Sequence, residues 1–426
     1  MDHRIEKLQS FLDGCVSVFH AVALLEQELR SAGFVRLAEN EVWQLAPGGK
    51  YYLIRGGSAL VAFRIPEGKA AGFMISASHS DRPTFKIKEN PELAGAYTRL
   101  AVERYGGMLI APWLDRPLSV AGRVTVETEQ GVETKLVNID RDLLLIPNVA
   151  IHMNRQANDG YKWNPATDTL PLFGGRDARG KFQDLLEQTA GGKILGHDLY
   201  LYIRQKSAVW GMEGEYISSA ALDDLECAWC CTQGFLNSKK SDSITVLCVF
   251  DNEEVGSSSL QGAASNFLES ALHRICTGLR LDERVMLSNS FLVSADNAHA
   301  LHPNHPELAD PNNAPLVGGG VVLKFNANQR YCTDGVTAAI FRKICAKADV
   351  PVQTFCNRAD IAGGSTLGNI SLSQVAVPSV DIGLPQLAMH SCFETGGTKD
   401  ALYLTDAMTA FYSASLQATE TGYNLK

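Results

Sequence analysis

The sequence predicts an α/β protein with a mostly parallel central sheet, interrupted by an inserted β-rich segment. Three observations carry that prediction. Short apolar runs recur along the chain with helix-patterned stretches between several of them, the arrangement of strands joined by crossover helices. The stretch from 91 to 214 has few such runs and holds instead strand-like pieces such as LSVAGRVTVET and loops such as NDGYKWNPATD. At 426 residues the chain is also longer than one domain usually is, which suits a discontinuous domain at 1–90 and 215–426 with a second unit at 91–214.

From the N-terminus, Ile5 to Ala32 has helical periodicity and ends at Gly33. Tyr51 to Ile65 reads as two strands around the Gly56-Gly57 turn, and Ala71 to Ser78 (AGFMISAS) as a buried strand. After the inserted segment a helix is expected over Ser219–Asn237. Strands are expected at Ile244–Phe250, Phe291–Ser294, Val321–Phe325, Val352–Cys356 and Ser379–Ile382.

Composition narrows the function. A net charge of −9 offers no broad basic footprint for nucleic acid. The N-terminal MDHRIEKLQSFLDG lacks the apolar core of a signal peptide, and no apolar run approaches the ~20 residues of a membrane span, so a cytoplasmic protein is expected. Of ten cysteines, only Cys227, Cys230 and Cys231 cluster. With no second pair at zinc-ribbon spacing, they read as buried reduced thiols.

The residues that carry chemistry sit just after the apolar runs. AGFMISAS leads into His79-Ser80-Asp81, ITVLCVF into Asp251-Asn252-Glu253-Glu254, FLVS into Ala295-Asp296-Asn297, and SVDIG through a short loop into Met389-His390-Ser391. Ligands of open α/β sheets bind at the carboxyl ends of strands. Asp223-Asp224 adds carboxylates near the start of a helix. Two histidines and several carboxylates suit zinc or manganese, and there are enough for two ions sharing a bridging carboxylate. Asp81 is placed to orient the imidazole of His79. Each short motif is uninformative alone; a lone His-x-Asp or Glu-Glu is commonly a solvated pair. The weight comes from all of them following apolar strands.

Together HSDRP, ALDDL, FDNEEVGS, SADNAHA, KFNANQRY, GGSTLG and MHS-x-x-E resemble the M18 metallopeptidases, the aspartyl aminopeptidases, from Phe19-His20-Ala21 to near the C-terminus. The resemblance implies a zinc-exopeptidase-like catalytic domain interrupted by a dimerisation domain, and two divalent ions per subunit, zinc first, with manganese or cobalt as alternatives. It implies His79, Asp223, Glu254, Asp296 and His390 as ligands, Asp223 bridging, with Glu253 as general base and Asp81 supporting His79. It makes His152 a residue that reaches the active site of the partner subunit. It places Lys324, His299, Ser365 and Thr366 beside the substrate, Lys324 favouring acidic first residues. A peptide substrate and a homodimer, or a dodecamer built from dimers, are implied by the same likeness. Arg82, Asp224 and Gly368-Asn369 depart from the family pattern and bear on pocket shape. Two other readings compete: a related dinuclear deacylase or carboxypeptidase, and a self-assembling shell with a dead site. Clustered carboxylates kept at the cost of desolvation speak against the second.

Overall fold

A computed structural model describes residues 2–426. Its larger sheet has nine strands, with Phe73–His79 between Ile244–Phe250 and Phe291–Ala295, followed outward by Ser379–Gly383, Val321–Phe325 and Val352–Cys356. Five of its eight strand pairings are parallel and three antiparallel, so the sheet is mixed. The four strands from Ile244–Phe250 to Ser379–Gly383 run parallel and are buried at every position.

Burial on both faces explains why these runs are continuously apolar rather than alternating. Successive side chains still point to opposite faces. Leu247 and Val249 enter one core, with Leu25, Trp229, Phe341 and Phe411, whereas Val246 and Cys248 enter the other, with Phe267 and Ile275. Helices Leu222–Asn237 and Thr398–Tyr412 cover the first face, and Phe267–Leu279 the second.

The second sheet has six strands, all antiparallel to their neighbours: Gly131–Asn138, Leu118–Thr128, Ile194–Ile203, Thr84–Leu93, Tyr97–Tyr105 and Leu172–Gly175. It packs helix Lys181–Ala190 through Phe182 and Leu186 onto a third core holding Phe85, Trp113 and Leu118.

Three sequence expectations shift. The N-terminal helical stretch is two helices, His3–Gly14 and Val18–Ser31, because Ser17 caps a new start by accepting from His20 N. Strand Thr84–Leu93 already belongs to the second sheet before position 91. Ser219 ends a strand, Tyr216–Ser219, that pairs with Glu394–Gly397, and the helix begins only at Leu222. The ten cysteines are all free, and Cys227, Cys230 and Cys231 are buried. Among the described residues, no helix is long and apolar enough to cross a membrane.

Candidate metal centre

His79 is the last residue of its strand, Asp251 follows Phe250, and Asp296 follows Ala295, so neighbouring parallel strands deliver these groups to one edge. Asp223 sits at the start of helix Leu222–Asn237, joined to Asp224 by a cis peptide bond. His390 arrives from the loop after Pro385–Gln386.

Asp223 stands at the centre. Its Oδ1 is 3.4 Å from His79 Nε2, and its Oδ2 is 3.4 Å from His390 Nε2. His390 Nε2 is also 3.4 Å from Glu254 Oε2. Candidate ligand atoms of His79, Asp223 and Glu254 lie within 4.8 Å of one another, as do those of Asp223, Asp224 and Asp296. Asp223 belongs to both groups.

A layer of hydrogen bonds orients these side chains. Asp81 accepts from the backbone N–H of Glu253 and of Glu254, both at 3.1 Å, and its Oδ1 lies 3.4 Å from His79 Nδ1. Asp224 Oδ2 accepts from His79 N. Glu394, four residues after His390, accepts from His390 N at 2.7 Å and from Asp223 N at 3.0 Å, tying two ligand segments together. Asn297 donates to Leu222 O and to Gln386. Gly383 passes so close to Asp296 O that an added Cβ would lie 2.0 Å from it.

The electrostatics call for a cation. Burial pushes Glu253 up to about 8 and Glu394 up to about 8, and Asp296 up to about 6 against the pull of Lys324. Burial also drives Glu254 and Asp224 well above the carboxylate range. Buried acids crowded together cannot all ionise unless positive charge is supplied. Asp223 Oδ1 and Glu254 Oε1 are buried without a hydrogen-bond partner, so each keeps a free lone pair for a ligand bond. Imidazole nitrogens and carboxylate oxygens are the donor set zinc takes. The residues therefore fit a divalent metal.

The family model described as aminopeptidase I zinc metalloprotease, M18, matches residues 11–412. The chain belongs to the M18 family. It is 43% identical over 423 residues to a probable M18 family aminopeptidase 2 of Clostridium novyi, covering 96% of this chain and 98% of that one. A probable M18 family aminopeptidase 2 of Pseudomonas aeruginosa is 41% identical over 421 residues, covering 96% and 97%. Among solved structures, the Ape4 and Nbr1 complex aligns at a TM-score of 0.92 with 35% identity, over 96% of this chain and 85% of that one. The S. cerevisiae mApe1 dodecamer aligns at 0.84 with 27% identity, over 96% and 95%. The M18 chain is thus a metallopeptidase of aminopeptidase type, using divalent metal.

The substrate-side expectations distribute unevenly. A cleft of about 290 Å³ beside the centre is lined by His299, His302, Phe355, Arg358, Gly364 and Gln386. The His299 ring lies 6.0 Å from that of Phe355, and the apolar wall, then Lys324, lowers its pKa. Ser365 Oγ donates to Asn369, and Thr366 Oγ1 donates to buried Asp381, so the Thr366 hydroxyl is already committed. Lys324 does not present a free ammonium. It is buried, donates to Asp296 O at 2.7 Å and Asn297 O at 3.0 Å, and lies 3.8 Å from Asp296 Oδ1. Its strand runs antiparallel to Ser379–Gly383, so the rule that strands deliver ligands at their carboxyl ends does not reach it. Arg82 turns away, donating to Cys15 O and Val16 O at the end of helix His3–Gly14. His152 lies exposed in a loop of the inserted segment between exposed Ile151 and Met153, outside the cluster.

Sequence reasoning singled out Glu394 in MHS-x-x-E without giving it a role, and missed Tyr105. Tyr105 had no signal, since it belongs to the second sheet.

Proposed function

We propose that this M18 chain is a dinuclear zinc aminopeptidase that removes an acidic first residue from peptides. One observation carries the reading: the His79–Asp223–His390 arrangement, in which one buried carboxylate lies 3.4 Å from two imidazoles. His79 and Asp296 would hold one ion, Glu254 and His390 the other, and Asp223 both. Held there, two divalent ions would supply Lewis-acid polarisation of the scissile carbonyl, a more acidic water and a place for a free α-amine.

Glu253 is the general base. Its backbone is pinned by Asp81, which fixes the turn that carries its carboxylate beside the ligands. It takes the proton of the attacking water and passes it to the leaving amine. Asp81 fixes the imidazole of His79 and the Glu253-Glu254 turn together. Lys324 sets the position of Asp296 and adds positive charge behind it. Contact with an acidic substrate side chain falls to the lining of the cleft, where His299, His302 and Asn357, whose Nδ2 is buried without a partner, offer donors, while Arg358 already donates to Asp360 and Glu307 O.

His152 acts in a neighbouring subunit. Its loop is exposed on a single chain and flanked by apolar residues, with Met153 83% exposed, which suits a surface covered by a second copy. The 91–214 segment is then the dimerisation domain, and the dodecameric assembly of the similar mApe1 supports a homo-oligomer.

The test is a panel of peptides beginning with Asp, Glu, Leu or Lys, each with a free and an acetylated amine. Cleavage confined to free amines and fastest for Asp and Glu is expected. Cleavage of acetylated peptides would favour the deacylase reading, and faster cleavage of Leu or Lys would remove the acidic preference.

A further inference from the structure

The second sheet does more than carry the exposed loop of His152. Its strand Tyr97–Tyr105 ends directly against the metal centre. Tyr105 Oη donates to Asp81 Oδ2 at 2.7 Å and accepts from Asn252 Nδ2 at 2.8 Å. The ring is held edge-on by Tyr200, a residue of strand Ile194–Ile203, at 5.7 Å and 79°. The chain then turns through Gly106, at φ +77°, where a Cβ would lie 3.1 Å from Glu254 Cβ. Three residues on, Leu109 N donates to His390 O at 3.0 Å.

We propose that Tyr105 is a positioning residue through which the seating of the second sheet sets the geometry of the metal centre. The proposal rests on the zinc reading of the site. Asp81 is the link between the two sheets. An ionised carboxylate has about four acceptor positions. Here they take the Tyr105 hydroxyl and two consecutive backbone amides, while His79 Nδ1 pairs with the Asp81 backbone carbonyl at 3.2 Å and lies 3.4 Å from Oδ1. A side-chain carboxylate can turn about its own bonds, and turning would exchange these partners. The Tyr105 hydroxyl fixes the rotation from the one side that the catalytic sheet does not supply. It is itself fixed, with its hydrogen on Asp81 and a lone pair on Asn252, immediately before Glu253. Metal-ligand orientation and the aim of the general base thus share one anchor, and that anchor is lent by the other sheet.

Removing such outer partners costs 10–100-fold in metal affinity or activity, and Tyr105, one step further out than Asp81, belongs at the low end. In Tyr105→Phe the ring and its packing remain. Zinc-loaded protein is challenged with a chromogenic chelator, and kcat and KM are measured on an N-terminal aspartyl anilide. Expected are roughly tenfold easier loss of zinc and a roughly tenfold lower kcat with KM nearly unchanged. In an Asp81→Asn background the same substitution should add nothing, because Tyr105 acts through Asp81. Parent-like zinc retention and kcat, or a full additional loss on top of Asp81→Asn, would overturn the proposal. If Tyr105→Phe does not fold, Tyr200→Leu loosens the same ring and should shift zinc retention and kcat in the same direction; no shift overturns the proposal. Should the parent cleave no free-amine substrate, the aminopeptidase reading falls, while chelator competition still decides the role of Tyr105.

Discussion

The two sheets of this chain solve different problems. In the larger one, Phe73–His79, Ile244–Phe250 and Phe291–Ala295 are buried throughout, and His79, Asp251 and Asp296 stand at or just past their carboxyl ends. In the smaller one, Tyr97–Tyr105 alternates between exposed and buried, and Gly131–Asn138 is mostly exposed. In a sheet covered on both faces a carboxylate is desolvated wherever it stands: the mid-strand one, Asp381, needs donors from Cys332 N and Thr366, and the others cluster past the strand ends. A sheet covered on one face carries charge along its length at little cost. The difference explains why the metal-binding chemistry concentrates at the edge of the first sheet. The second sheet contributes a single residue within the chain, Tyr105, and the loop of the inserted segment carries exposed His152.

That contrast can be broken. The largest effect should come from the buried edge. Glu253→Gln should lower kcat on the order of a thousandfold while zinc content stays at the parent level. Retained turnover would remove Glu253 as the base. In the second sheet's territory, His152→Phe should lower kcat on the order of a hundredfold, the size of a lost oxyanion donor. Co-expression with the Glu253→Gln chain should restore part of the activity, since mixed dimers pair a good base with a good histidine. No restoration would confine each site to one chain.

A smaller change is expected at Lys324. Lys324→Met should lower kcat/KM roughly tenfold, and equally for acidic and neutral first residues, because the lysine holds Asp296. A loss confined to acidic substrates would return the ammonium to the substrate pocket. The smallest effect concerns pH. Burial, aided by Asp400, pushes Glu226 up to about 8, and neither of its oxygens has a partner. A carboxyl whose pKa is raised on folding binds its proton more tightly in the native state. Its contribution is therefore full below the unfolded value and is lost as pH rises toward 8. Glu226→Gln should flatten the decline in urea stability between pH 5 and 8, and an unchanged slope would contradict the assignment.

Much of the metal centre was legible because the signals were contiguous. An apolar run followed at once by His79, Asp251 or Asp296 says both that a strand ends and that a polar group sits at the end. Asp223 was legible through its pairing with Asp224 at a helix start. The runs do not encode strand direction. Lys324 ends an apolar run much as the others do, but its strand is antiparallel to its neighbour, and its ammonium ends on backbone carbonyls. The N-terminal helices merged in the sequence because Gly14 and Ser17 break the backbone without breaking the apolar period. The second sheet was read as β-rich, but its first strand begins at Thr84, where nothing in composition marks a boundary. Tyr105 was invisible for the same reason: its partner, Asp81, lies across a junction between two sheets that only the fold brings together.

The most direct test of the central claim is metal content against activity. Metal-free protein is titrated with zinc while bound zinc per chain and peptide cleavage are followed together. Activity should rise and level off at two zinc ions per chain, and substitution of Asp223 by Ala should abolish both bound ions. Full activity with no bound zinc, or two ions retained without Asp223, would contradict a shared, buried dinuclear centre.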